Sequence, residues 1–175
     1  FYLELPVESL AHGFSEFKGV ARRFTITGSV GGVTIIDDYA HHPTEIKATL
    51  AAARQYAGDK QVIAVWQPHR YSRIGLLLDE FAQAFEDADI ALISEVYAAS
   101  EKPNPNLTLD AIIEHCRSLS PQKRFEALEK VEDLPYQLAR MLEKEAVIIH
   151  MGAGTITNWA KALPIQLEAL KRTVA

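Results

Sequence analysis

The constraint that bears hardest on this 175-residue chain is an alternation. Short apolar runs rich in β-branched residues recur at 62–66, 90–94 and 147–150, and segments with helical apolar spacing separate them. Strands alternating with helices predict an α/β, Rossmann-like three-layer domain with a mainly parallel sheet. The expected helices cover 43–56, 76–85, 109–117 and 134–144, with a weak strand near Phe125 and a last helical region after Gly154. Ahead of them, 24–30 and 33–37 read as a hairpin turning at Gly31 and Gly32. Right-handed crossovers put the loops that follow the strands on one edge, where such sheets bind ligands.

Residues 1–18 read differently. Leu3, Leu5, Val7, Leu10, Phe14 and Phe17 follow a roughly helical spacing around Pro6, which predicts a short amphipathic helix before Gly19. The opening residue is Phe1, so the expectation is a piece of a longer chain.

Bulk properties exclude several classes of function. A chain that is 48% hydrophobic and 23% charged is expected to fold as a globular domain, and 175 residues suit one core. Its formal charge of -5 provides no basic field for nucleic acid. The lone cysteine, Cys116, forms no internal disulfide, and no apolar run is long enough to cross a bilayer. The expected compartment is the cytoplasm.

Chemistry concentrates after two of the strands. Asp37, Asp38, Tyr39, Ala40, His41, His42, Pro43, Thr44 and Glu45 stand where a strand ends and a helix starts at proline. Free N–H groups and the positive dipole end favour an anion there, while a carboxylate such as Asp38 suits a sugar diol. The same residues also serve simply to cap the helix, and both readings stand. Adjacent histidines rarely aim both rings at one ion, so no metal is assigned.

Gln67, Pro68, His69, Arg70, Tyr71, Ser72 and Arg73 follow the next strand. Arg70 and Arg73 are three apart, so one turn of helix lets both guanidiniums face a carboxylate with bidentate geometry. The alternative is a solvated surface pair. Gly152, Ala153, Gly154, Thr155, Ile156 and Thr157 resemble a dinucleotide fingerprint only weakly, because Thr157 stands at the third glycine position. A close strand-to-helix turn is the better reading. Tyr97 and Glu101, on the loop after the fourth strand, are within reach of the same edge. His12, His115 and His150 read as ordinary surface or core residues, and Trp66 and Trp159 as packing residues.

Three of these segments, Gly19 to Phe24, Asp37 to Pro43 and Gln67 to Arg73, resemble the third domain of the Mur ligases, with a looser match at Val96-Tyr97 and Gly152-Ala153-Gly154. The resemblance spans about 19–163. It implies that 1–18 is the tail of a central ATPase domain and 19–175 the C-terminal domain. The Gln-Pro-His-Arg-Tyr-Ser-Arg wording is similar to the alanine-adding branch, and a tripeptide-recycling branch with its own Ala-His-His-Pro segment is the alternative.

By resemblance, the parent is an ATP-dependent, amide-forming ligase of peptidoglycan precursor synthesis that joins L-alanine to UDP-N-acetylmuramate. Arg23 and Asp38 then meet the nucleotide. Tyr39, His41, Arg70 and Arg73 line the amino-acid pocket, and Asp37, His42 and His69 stand behind them. ATP phosphates and Mg2+ belong mainly to the central domain, because no Gly-Lys-Thr/Ser phosphate loop occurs in these residues. The 175 residues alone are therefore expected not to catalyse the reaction. Without the resemblance, the residues leave open an enzyme half-site or a non-catalytic nucleotide-binding or interaction module.

Overall fold

A computed structural model describes residues 6–16, 19–143 and 145–174. Helix α1 (Val7–Glu16) buries none of its residues, and Val7, Leu10 and Phe14 are exposed on it. Leu3, Leu5 and Phe17, expected on the same helix, lie outside the described residues.

Strands β1 (Thr25–Val30) and β2 (Val33–Asp38) form the expected hairpin. Gly31 and Gly32 make its turn with φ of 55° and 84°, and a type I′ turn needs positive φ at both central residues. There follow α2 (Pro43–Ala57), β3 (Gln61–Trp66), α3 (Tyr71–Leu76), α4 (Leu78–Ala82), β4 (Ile90–Ser94), α5 (Leu109–Leu119) and β5 (Arg124–Leu128). A 3-10 turn (Val131–Asp133), α6 (Leu134–Met141), β6 (Ala146–Met151) and α7 (Ile156–Val174) complete the chain.

Among the described residues, the sheet runs β1-β2-β6-β3-β4-β5, parallel throughout except for β1. Strands β3, β4 and β6 are buried along their whole length, as expected of strands covered on both faces. Ile46 and Leu50 of α2, Phe81 of α4 and Ile112 of α5 pack on one face. Leu134 and Leu138 of α6, with Ile156, Ala160 and Leu163 of α7, pack on the other. The domain is a three-layer, Rossmann-like α/β fold. No helix among the described residues is long and apolar enough to cross a membrane.

Two expected helices are corrected. The segment 76–85 is not one helix: α3 starts five residues earlier, at Tyr71, and breaks at Leu77 before α4. Its first turn is polar and Gly75 weakens it, so apolar periodicity does not show it. The helix expected over 134–144 ends at Met141, because the Gln61 side chain donates to the Met141 carbonyl at 3.0 Å and accepts from Glu143 N–H at 3.3 Å. That stop comes from a residue 80 positions away in the chain.

Insertion of β6 between β2 and β3 shapes the ligand edge. β3 leads to α3 on one face, while its neighbour β6 leads to α7 on the other. Their carboxyl ends are therefore a topological switch point, the place where open α/β sheets bind ligands.

Candidate functional site

The strand ends are level: Asp38 and Trp66 both register with Met151, and Trp66 with Ile93. Every loop after them therefore leaves from one edge. Gln67, only 5% exposed, stitches that edge together. Its N–H donates to the Met151 carbonyl at 3.0 Å, its Nε2 to Thr155 Oγ at 3.1 Å, and its Oε1 accepts from Ile156 N–H at 3.2 Å. The Gly152–Thr157 stretch is thus a strand-to-helix turn held by a neighbouring strand. A Cβ on Gly154 would lie 2.7 Å from Tyr97 Cγ and 2.5 Å from Gln67 Oε1, so glycine is required for close approach.

Next to this turn, aromatic rings form a continuous row. Tyr39 meets His41 edge-on with centroids 5.1 Å apart, His41 meets His69 at 6.0 Å, and His69 stacks on Tyr97 at 5.5 Å and 15°. His41 Nδ1 lies 2.9 Å from the Tyr39 carbonyl and 3.3 Å from Glu45 Oε2. Arg22 and Arg23 lie over the Tyr39 ring at 4.5 and 5.8 Å, within cation–π range.

The basic side is built on α3. Arg73 donates to the His69 carbonyl at 3.3 Å and approaches His69 Nδ1 at 3.2 Å. Burial lowers the His69 pKa, and the positive fields of Arg73, His41 and Arg70 lower it further against the opposing pull of Glu101. The shift favours the uncharged imidazole beside Arg73. His69, Arg70, Arg73 and His41 therefore occupy one neighbourhood, together with Tyr39, Tyr97 and Glu101.

Other expected residues fall outside that group. His42 is exposed and serves as the N-cap of α2, its Nδ1 accepting from Thr44 N–H at 3.3 Å while Glu45 completes a capping box. Burial works against ionisation of Glu45, but N–H donors from His41 and His42 and the charges of His41 and Arg23 outweigh it and lower its pKa. Asp38 is 5% exposed and braces the backbone: Oδ2 accepts from Phe24 N–H at 2.7 Å, and Oδ1 from Ala40 N–H at 2.8 Å and Thr49 Oγ at 3.3 Å. Asp37 faces α7, where Oδ2 accepts from Thr157 Oγ at 2.5 Å and lies 4.0 Å from Arg22 Nε. Arg23 is exposed at the rim.

Arg22 had no role in the sequence reading. Its guanidinium donates to the Gly152 carbonyl at 2.5 Å, and its own carbonyl accepts from Tyr39 N–H, so it ties the segment before β1 to two strand ends. Its left-handed φ of 59° is invisible in sequence. His150 is fully buried, His115 pairs with Asp79 at the surface, and Trp66 stacks in the core on Phe81. Among the described residues, no group of three or more His, Cys, Asp or Glu side chains is placed to hold a metal ion.

A family model described as Mur ligase, glutamate ligase domain, matches residues 22–154. The chain belongs to this Mur ligase family. The match takes in Arg23, the 37–45 segment, the 67–73 segment and Gly152. Similar proteins include the UDP-N-acetylmuramate–L-alanine ligase of Acidiphilium cryptum, 44% identical over 98% of this chain and 35% of that protein. The ligase of the same name from Agrobacterium fabrum is 47% identical over 96% of this chain and 35% of its own. The chain thus spans about a third of the length of the curated relatives it matches. Among solved structures, UDP-N-acetylmuramate-alanine ligase from Thermotoga maritima superposes with a TM-score of 0.68 at 26% identity, covering 95% of this chain and 35% of that one. Folylpolyglutamate synthase from Mycobacterium tuberculosis, at 18% identity and a TM-score of 0.61, shares the fold.

Proposed function

We propose that this Mur ligase domain is the C-terminal part of a cytoplasmic, ATP-dependent UDP-N-acetylmuramate–L-alanine ligase, and that its strand-end edge holds the amino acid. The observation that carries the reading is Arg73 set against His69, with Arg70 at the start of the same helix and His41 and Tyr39 in the adjoining row of rings. Two guanidiniums supply charge and planar donors for a carboxylate, and the row of rings makes a small, partly apolar wall beside them. The alanine-ligase relatives, similar over nearly the whole chain, support the same substrate.

In this reading, the lactyl carboxylate of UDP-N-acetylmuramate is phosphorylated by ATP, and the alanine amine attacks the acyl phosphate. This domain contributes position: Arg70 and Arg73 hold the carboxylate of alanine so that its amine faces the acyl donor. Arg23 at the exposed rim meets the nucleotide. Asp38 reaches the ribose only with the lone pair that Oδ2 retains beside Phe24 N–H, so Arg23 is the stronger contact. Asp37 acts through Arg22, and His42 through the cap of α2. In the same reading, Mg2+ and the ATP phosphates are held mainly by the central domain of the parent. The exposed apolar side of α1, which buries nothing here, supports a boundary near residue 18 with the preceding ATPase domain.

The test is phosphate release by the full-length parent with UDP-N-acetylmuramate, supplied with a panel of amino acids and with the recycled tripeptide. Strong preference for L-alanine is expected. Turnover with the tripeptide and none with alanine would move the protein to the recycling branch.

A further inference from the structure

The backbone that presents Arg70 is strained. Arg70 has φ 71° and ψ 124°, and the loop opposite it has Ala99 at φ 48° and Ser100 at φ 72°. All three are non-glycine residues in the left-handed half of conformational space, a state that persists only where surrounding contacts over-determine it. Those contacts are present. Arg70 N–H donates to the Tyr97 carbonyl at 2.9 Å, and Tyr97 N–H donates back to the Pro68 carbonyl at 2.8 Å.

One side chain spans the two loops. Glu101 accepts from Ser72 N–H at 3.0 Å through Oε2 and from Ser72 Oγ at 2.6 Å through Oε1. Both carboxylate oxygens are thus engaged by the residue two places after Arg70. The Ser72 hydrogen bonds lower the Glu101 pKa, and the charge of Arg70 adds to them. The carboxylate therefore lies within the field of Arg70 yet is oriented by Ser72.

The geometry points to Glu101 as a positioning residue that fastens Ser72, and through it the left-handed backbone of Arg70, so that the arginine is set before the amino acid arrives. This rests on the proposed amino-acid site. A purely electrostatic Glu101 would do the opposite, competing with the substrate carboxylate for Arg70. The two roles differ in sign. Removing a brace weakens amino-acid binding, whereas removing a competing charge strengthens it.

The experiment uses the full-length parent carrying Glu101→Gln, Glu101→Ala, Ser72→Ala and, separately, Arg70→Ala. Glu101→Ala is expected to raise the alanine KM about tenfold with the ATP KM within about twofold, since two charge-assisted bonds are lost. Glu101→Gln keeps one acceptor and is expected to raise it about threefold, and adding Ser72→Ala to Glu101→Ala should cost little more because the partners are shared. Amide hydrogen exchange at Arg70 and Ser72 reads the brace without reference to activity, and it should quicken in Glu101→Ala while the strands stay protected. A lower alanine KM in Glu101→Gln, or unchanged exchange in Glu101→Ala, overturns the proposal. Arg70→Ala separates the two ideas: if it leaves alanine use intact, the amino-acid reading fails and the exchange result alone judges the brace. If Arg70→Ala impairs alanine use and the Glu101 variants do not, the brace fails and the reading stands.

Discussion

Asp37 and His150 are direct partners in the β2–β6 register, and both are buried polar residues, 2% and 0% exposed. Ile35 and Ile148, two places earlier on each strand, face the α6–α7 layer, so the carboxylate and the imidazole share that face. Asp37 is held by Thr157, whereas the His150 ring is enclosed in the sheet with the Ile36 backbone as the polar group acting on it.

This burial makes the fold acid-sensitive. Desolvation pushes the His150 pKa down from 6.5 to about 4, with the Ile36 backbone opposing it. The unfolded imidazole takes its proton near 6.5, so between that pH and about 4 the unfolded state binds more protons and stability falls as the pH falls. The difference amounts to about 3 kcal/mol across the window. Chemical denaturation at several pH values should show His150→Leu losing less stability than the wild type between pH 6.5 and 4. Parallel curves would show that the ring does not control this limb.

Asp38 should matter to the fold as well as to the nucleotide. Asp38→Ala strips the part-buried Phe24 N–H and the buried Ala40 N–H of their acceptor, a loss of about 2–4 kcal/mol. Thermal unfolding should show Tm falling by roughly 5–12 °C, with Asp38→Asn intermediate. In the full-length enzyme, Asp38→Asn is expected to raise the ATP KM more than the alanine KM. The reverse order would place Asp38 on the amino-acid side.

Arg70 and Arg73 should separate binding from folding. If each donates a charge-assisted hydrogen bond to the substrate carboxylate, losing one weakens alanine use about tenfold to a hundredfold. Arg70→Lys keeps the charge and loses the planar fork, so it should remain clearly impaired. Steady-state kinetics of Arg70→Ala, Arg70→Lys and Arg73→Ala, with unfolding run alongside, give the answer. Wild-type alanine kinetics in all three folded variants would remove the carboxylate clamp.

Gly154→Ala tests the packing behind the row of rings. Its Cβ would meet Tyr97 Cγ and Gln67 Oε1, and Gln67 is too buried to swing away. Overpacking of this kind destabilises by about 1–3 kcal/mol. Displacement of Tyr97 from His69 should also raise the alanine KM. An unshifted Tm together with normal kinetics would show that the turn absorbs the methyl group freely.

Much of this was legible in the residues because it rests on local rules. Apolar runs at 62–66, 90–94 and 147–150 are too short for buried helices and rich in β-branched residues, so they read as covered strands, and Gly31-Gly32 between two β-branched runs spells its own turn. Pro43 suits the first helical turn and Glu45 closes back on the His42 cap, both within three residues of the helix start. Such features depend on neighbours a few positions away, so the sequence by itself determined the layer architecture and the segments that carry polar chemistry. Tertiary structure decided which of those side chains meet. Insertion of β6 between β2 and β3 brings the Gly152 turn beside Gln67, and Gln61 ends α6 from far along the chain. The left-handed Arg22 and Arg70, the bond from Ser72 to Glu101 and the inward turn of Asp37 and Asp38 all arise from contacts between distant loops. Periodicity and motif spacing describe one segment at a time, whereas a ligand edge is made where several segments end together.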